Sequence, residues 1–272
     1  MAININVQVA RSVARSNEDG LTMVVLKNAR RAAGVTDDIV TVDTLEDLTT
    51  KLESSDAAGE YELYVVEYLV RAGVNLLAYT TGTVGSIDAD DVTAISDLET
   101  LNYKMLTAPY AFLDGTNTEP LLLQFAKDND VQLLLDIHPD STPTEAGTVI
   151  DDISSDVSAK LEIFVNTGLP AYTSLFTSNV STEFDALNGF YGVPASAAAI
   201  AKRARTLQSG TPWVPIAGEV YGLVDEFTEL YRKLSTTEKT AFQAENLNVL
   251  FMKIGVGNLF VSQNTLVDST NS

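Results

Sequence analysis

The segment Asp136-Ile137-His138-Pro139-Asp140 sets the only histidine of the chain between two carboxylates, just past the apolar run Val131 to Leu135. An imidazole beside a carboxylate is the base of a nucleophilic triad, and the carboxyl end of a strand is where an open α/β sheet places its ligands. A triad also needs a nucleophile. The chain has no cysteine and no Gly-x-Ser-x-Gly elbow. His138 therefore reads as a loop residue before a proline, and no catalytic residue is expected. A second candidate is Thr80-Thr81-Gly82-Thr83-Val84-Gly85-Ser86, rich in small hydroxyl residues after an apolar run. It lacks the Gly-Lys-Ser/Thr ending of a phosphate loop and the Gly-x-Gly-x-x-Gly spacing of a dinucleotide site, so it reads as a polar turn.

Metal chemistry has little to work with. One histidine and no cysteine exclude a multi-histidine or thiolate site. Asp88, Asp90 and Asp91 cluster, but the glycine and glutamate of a calcium loop are missing at the required offsets, so the cluster reads as a helix cap. The expectation is no metal and no cofactor. Lys202, Arg203 and Arg205 stand near the end of an alanine-rich helix without interleaved aromatics or any nucleic-acid motif. Contact with an acidic protein surface is the economical reading. A soluble α/β enzyme or ligand-binding domain, with a site near Thr80–Ser86 and Asp136–Asp140, stays open as the alternative.

These candidates hang on alternating strands and helices. Leu21 to Leu26, Ile39 to Val42, Asn75 to Tyr79, Tyr103 to Ala108, Val131 to Asp136 and Leu161 to Val165 read as strands. Helices are expected after Asp43 or Thr44, over Glu60 to Arg71 with Gly73 as the stop, and from Asp88 through Leu98. Two more run from Asn117 to Lys127, with Leu121, Leu122 and Phe125 inward, and from Thr142-Pro143 onward. Strands separated by helices of this length form βαβ crossovers. The fold class is α/β with mixed, mostly parallel sheet covered by helices on both faces. After residue 168 glycine and proline become frequent. A helix is expected over Pro194 to Leu207, and a strand pair around Gly255-Val256-Gly257. The partition expected is an extended arm (1–20), an α/β domain (21–168) and a Gly/Pro-richer α+β part (169–272). The arm carries the alternation Ile3, Ile5, Val7, Val9, the mark of a strand that adds to another sheet.

The 272 residues carry 37 acidic and 17 basic side chains, a formal net charge of −20. The charge is uneven: residues 1–34 are net +3, residues 35–160 net −20 and residues 161–272 net −3. Phosphate would be repelled, so direct nucleic-acid binding is not expected. The acidity reads as a solvated face, as a surface complementary to basic segments of another copy, or as adaptation to salt. No apolar run approaches the ~20 residues of a membrane span, and the N-terminus lacks a secretory layout.

Several elements in order carry a resemblance. Tyr191-Gly-Val-Pro194-Ala195 opens the small-residue helix to Ala201. Lys202-Arg203-Ala204-Arg205-Thr206, Trp213-Val-Pro215-Ile-Ala217-Gly218 and Gly257-Asn-Leu-Phe-Val-Ser-Gln-Asn-Thr265-Leu266 follow. This order resembles the contractile tail sheath proteins of bacteriophages and related injection machines. There, a Val-Pro-Pro-Ser turn opens a small-residue helix, followed by Ala-Arg-Thr-like, Trp-x-Ala-Pro-Ala-Gly-like and Gly-x-x-x-Trp-Gly-x-Arg-Thr-Leu segments. Ala195 stands for the second proline, and Asn264 for the arginine. Upstream, Ala72-Gly73, Asn75 to Tyr79, Tyr103 to Pro109 and Asp130 to Pro139 are similar to the family's turn, strands and Leu-Leu-Asp-x-Pro element, with His138 in a spacer position.

The resemblance implies a structural, non-enzymatic subunit of the viral tail. It would assemble in the host cytoplasm into a helical tube of identical copies around an inner tail tube protein. Baseplate and tail-terminator proteins would bound the tube, and its contraction would drive genome ejection without membrane insertion of the sheath. On this reading the subunit-interface candidates are Ile3, Ile5, Val7, Val9, Arg11, Arg15, Lys202, Arg203 and Arg205. Sheath subunits continue past the Arg-Thr-Leu element into a C-terminal linking domain, whereas this chain stops at Ser272. The linking domain is then missing, supplied by another chain, or replaced by a different mesh.

Overall fold

The computed structural model describes residues 21–129, 131–153, 160–176, 183–208 and 215–262. In chain order the strands are β1 (Thr22–Leu26), β2 (Arg30–Arg31), β3 (Ile39–Val42), β4 (Leu52–Glu53), β5 (Leu76–Thr80), β6 (Met105–Thr107), β7 (Gln132–Asp136), β8 (Leu161–Val165), β9 (Thr167–Pro170), β10 (Val193–Pro194), β11 (Phe227–Leu230), β12 (Asn248–Lys253) and β13 (Gly257–Phe260). The helices are α1 (Leu45–Lys51), α2 (Ala57–Arg71), α3 (Ala89–Ala94), α4 (Leu98–Leu101), α5 (Pro120–Asn129), α6 (Pro143–Ile153), α7 (Ala195–Gln208), α8 (Gly218–Tyr221) and α9 (Thr236–Ala244).

Eight strands form one sheet in the order β13-β12-β8-β7-β6-β1-β5-β3. The six inner strands are parallel. An antiparallel strand closes each end, β3 beside β5 and β13 beside β12. Each inner strand is a short apolar run, as a sheet covered on both sides requires. Successive residues alternate between two cores. Val24, Leu26, Ala78, Leu134 and Phe164 face one core, built with α1, α2 and α7. Met23, Val25, Tyr79, Leu133 and Ile163 face the other, built with α3 to α6 and α9. The expected α/β class with helices on both faces is the fold observed.

From β1 the chain runs out to the edge strand β3, returns as β5 beside β1, then crosses to β6, β7 and β8 on the other side. This reversal beside β1 is the topological switch point of a doubly wound sheet. At residues 165–167, where Asn166 takes a left-handed backbone (φ 86°), the chain leaves the large sheet. It builds the three-stranded antiparallel sheet β10-β9-β11 and returns as β12 beside β8. The excursion ends at β12, so residues on both sides of the expected boundary at 168 contribute strands to the large sheet. Gly168 lies directly under the Phe227 ring, where a side chain would overlap it.

Local details refine the sequence reading. Asp56 caps α2 by accepting from the Gly59 amide (2.8 Å), so the helix starts three residues before Glu60. Thr44 with Asp47, Asp88 with Asp91 and Ser235 with Glu238 form reciprocal capping boxes. The expected helix from Asp88 through Leu98 is two: α3 ends at Ala94, and Asp97 caps α4 anew. Helix α5 begins at Pro120 instead of Asn117. With that phase Leu122, Leu123 and Phe125 point inward, and Leu121 is 39% exposed, which corrects its expected inward placement. Residues 3–9, 11 and 15 of the expected arm lie outside the described residues.

Candidate functional site

The crevice at the carboxyl ends of the strands is where a doubly wound fold takes its ligand, and here its anion positions hold the protein's own carboxylates. After β1 the backbone amides of Lys27, Asn28 and Ala29 converge, the arrangement that cradles phosphate in nucleotide-binding proteins. The Glu62 carboxylate of α2 fills it, accepting from those amides at 2.8, 2.8 and 2.7 Å and from Asn28 Nδ2 at 3.1 Å. Glu62 is completely buried. Burial pushes its carboxyl up to about 7, against the pull of the converging N–H donors. Beside it, Lys27 Nζ donates to Glu119 Oε1 at 2.6 Å in a buried ion pair. Glu119 takes a left-handed backbone (φ 44°), rare for a residue with a side chain.

The second anion position lies at the end of β7. Asp136, buried, accepts from the amide of Ser196 at the start of α7 (3.0 Å). Its carboxyl is also pushed up to about 7 by burial, opposed by the amides of α7's first turn. His138 lies in the loop after β7. Its ring packs edge-on against Phe112 and Tyr191, with centroids 5.8 and 5.2 Å away, and its Nδ1 accepts from the Asp140 amide. Asp140 accepts from Tyr231 Oη at 2.7 Å.

Residues 80–86 form a folded turn held by the β1 end and by α3. The Gly85 amide donates to Lys27 O, the Thr81 amide to Leu26 O, and the Gly82 amide to Asp91 Oδ1. That Asp91 also accepts from Tyr79 Oη (2.8 Å), so the acidic cluster caps a helix and pins this turn. An open cleft of about 580 Å³ lies alongside, lined by Arg30, Arg31, Asp38, Tyr79 and Thr81. Arg30 donates to the carbonyls of Lys27 and Ala29, and Arg31 pairs with Asp38. Among the described residues no group of three acidic or histidine side chains is placed to hold a metal ion, and no helix is long and apolar enough to cross a membrane.

The basic trio on α7 is engaged inside the chain. Arg203 grips both oxygens of Glu162 at 2.6 Å, and that carboxylate also accepts from Gln132 Nε2. The pair is buried, 12% and 1% exposed. Lys202 Nζ donates to Leu223 O at 2.6 Å, and burial holds its ammonium below the usual lysine range. Arg205 pairs with Glu226 and keeps 44% of its side chain exposed. The structure brings Lys202, Arg203 and Arg205 together, and of the three Arg205 presents most to solvent.

Sequence reasoning missed Glu62, Glu119 and Glu162. A signal existed for two of them. Glu162 interrupts the apolar run of β8, and Glu62 stands within the Tyr61, Tyr64, Val65 stripe of α2. A charge at a core position is informative because it must find a partner there.

No protein-family model and no curated protein sequence matches the chain significantly. Solved structures do. A chain of the anti-feeding prophage baseplate superposes with a TM-score of 0.62 at 12% identity, covering 93% of this chain and 64% of that one. A chain of the anti-feeding prophage helical sheath in its contracted state gives 0.57 at 14% identity, covering 91% and 62%. A sheath tail protein from Desulfitobacterium hafniense gives 0.52 at 11% identity, covering 93% and 73%. This chain thus spans less than two thirds of the first two neighbours. At such identities the likeness shows the fold, which is sheath-like.

Proposed function

We propose that this chain is a structural subunit of a contractile injection tail. Copies assemble into a helical sheath around an inner tail tube, between a baseplate and a terminator, and shorten to drive the tube through a host envelope. The observation that carries the reading is the correspondence of more than nine tenths of this chain with sheath and baseplate subunits. The crevice supports it: both anion positions at the strand ends are occupied by Glu62 and Asp136, which leaves the ligand-binding alternative without its usual cradle. Residues 1–20 serve as the arm that reaches a neighbour, residues 21–168 as the main α/β body, and residues 169–272 as a part that packs on it and returns β12 and β13 to its sheet. Assembly takes place in the host cytoplasm, and the product is part of the virion tail. Storing energy in such a lattice needs two packings of one rigid body.

Negative-stain electron microscopy of the purified full chain tests this. Rings or tubes, with a shorter and wider form after mild denaturant, are expected. A uniform monomer that gains thermal stability with a small-molecule ligand would overturn the reading in favour of a ligand-binding domain.

A further inference from the structure

At the edge of the large sheet, the turn between β12 and β13 and the adjoining helix α8 form an apolar corner. Val220 is 75% exposed, Tyr221 51%, Met252 43%, Ile254 93% and Val256 36%. Single exposed hydrophobics are ordinary, whereas a contiguous group marks an interaction surface. The corner is held in shape by several contacts. Lys253 of the turn pairs with Glu219 of α8. The Val224 amide donates to Asn258 O and the Phe260 amide to Gly222 O, at 2.8 and 2.9 Å. Gly255 and Gly257 take left-handed backbones (φ 80° and 125°) that fold the turn tightly and leave Ile254 at its tip. The segment 222–224 lies along the outer side of β13. The corner therefore offers side chains to a partner, and little free strand edge.

Charge selects the partner. The chain carries −20 overall, yet residues 161–272 carry only −3, and Lys253 and Glu219 neutralise each other inside the corner. Two copies of so acidic a molecule repel across their acidic faces and approach more readily across a neutral or basic one. We propose that this corner packs against a second copy of the same chain. The inference rests on the self-assembly proposed above and names one of its contacts.

The test is the double variant Val220→Asp with Ile254→Asp in the full chain, followed by sedimentation velocity, electron microscopy and thermal melting. The expected result is at least a tenfold rise in the concentration needed for assembly, with an unchanged melting temperature. Lys253→Glu alone should raise that concentration too, and adding Glu219→Lys should restore it. Wild-type protein that stays monomeric overturns both the function and this contact. A wild type and double variant that assemble alike overturn the contact alone. A double variant with lowered melting temperature and intact assembly also overturns it, because the corner is then covered by the chain itself. A restoring pair that assembles no better than Lys253→Glu does the same.

Discussion

Gly59 and Glu62 lie one turn apart on α2 and meet the same loop. A methyl group on Gly59 would stand 3.1 Å from the amide nitrogen of Ala29, and the Glu62 carboxylate accepts from that amide at 2.7 Å. The glycine lets the helix approach, and the glutamate uses the approach. Gly59→Ala should therefore lower stability by about 1 kcal/mol or more, since overpacking here outweighs the ~1 kcal/mol that alanine gains in a helix. Urea denaturation measures it. An increase in stability would mean that α2 has room to retreat.

Glu62→Gln is a sharper probe. Each carboxylate oxygen already accepts two N–H groups, so an amide nitrogen in either place faces donors instead of acceptors. The expected loss at pH 8 is about 3 kcal/mol, the scale for a buried charged hydrogen-bond set left unmatched. A loss below about 0.5 kcal/mol would mean the loop does not need the anion.

Asp136 sets a pH dependence. It is raised to about 7 in the folded chain by burial. A carboxyl raised on folding keeps its proton where the unfolded chain has lost it. Its stabilisation is complete below its unfolded value and is lost as pH rises through about 7. Urea midpoints should fall from about pH 5 to about pH 8. A midpoint that climbs across this interval contradicts the assignment.

Arg203 and Arg205 of α7 should separate by burial. Arg203→Ala strands Glu162 in the interior and should cost about 3–5 kcal/mol. Arg205→Ala removes a half-exposed pair and should cost no more than about 1 kcal/mol. Equal losses would mean the Arg203 pair is no stronger than a surface one. Reversing charge to test assembly is accordingly meaningful at Arg205 and uninformative at Arg203, where folding fails first.

Deleting residues 1–9 should leave a folded monomer that no longer polymerises, as read by circular dichroism and electron microscopy. Segment 222–224 already lies along β13, so β3 is the sheet edge we expect the alternating arm of a neighbour to meet. Normal tubes from the truncated chain would remove the arm from the assembly.

Much of the fold was legible because the inner strands are short apolar runs and the helices carry their own caps. β1, β3, β7 and β8 and the start of α6 fell close to their expected bounds. Boundaries slipped where one side chain decides them. Asp56 starts α2 early, Asp97 divides a helix, and the phase of α5 exchanges Leu121 for Leu123. The return of β12 to the large sheet was not legible, since the pairing of Asn248 with Phe164 spans more than eighty residues and leaves no local pattern. The site was legible only by exclusion. The sequence supplied reasons to discount His138 and residues 80–86, but the occupant of the β1 loop comes from a helix thirty-odd residues away.

Helix α7 is fastened at both ends, by its first-turn amide to Asp136 on β7 and by Arg203 to Glu162 on β8, with Lys202 and Arg205 tying it to the segment before β11. A helix so tethered cannot slide or roll on the sheet without breaking a buried ion pair. The joint between the large sheet and its excursion is therefore braced by a buried ion pair as well as by backbone pairing. If copies polymerise as proposed, deformation is expected at the seams between them.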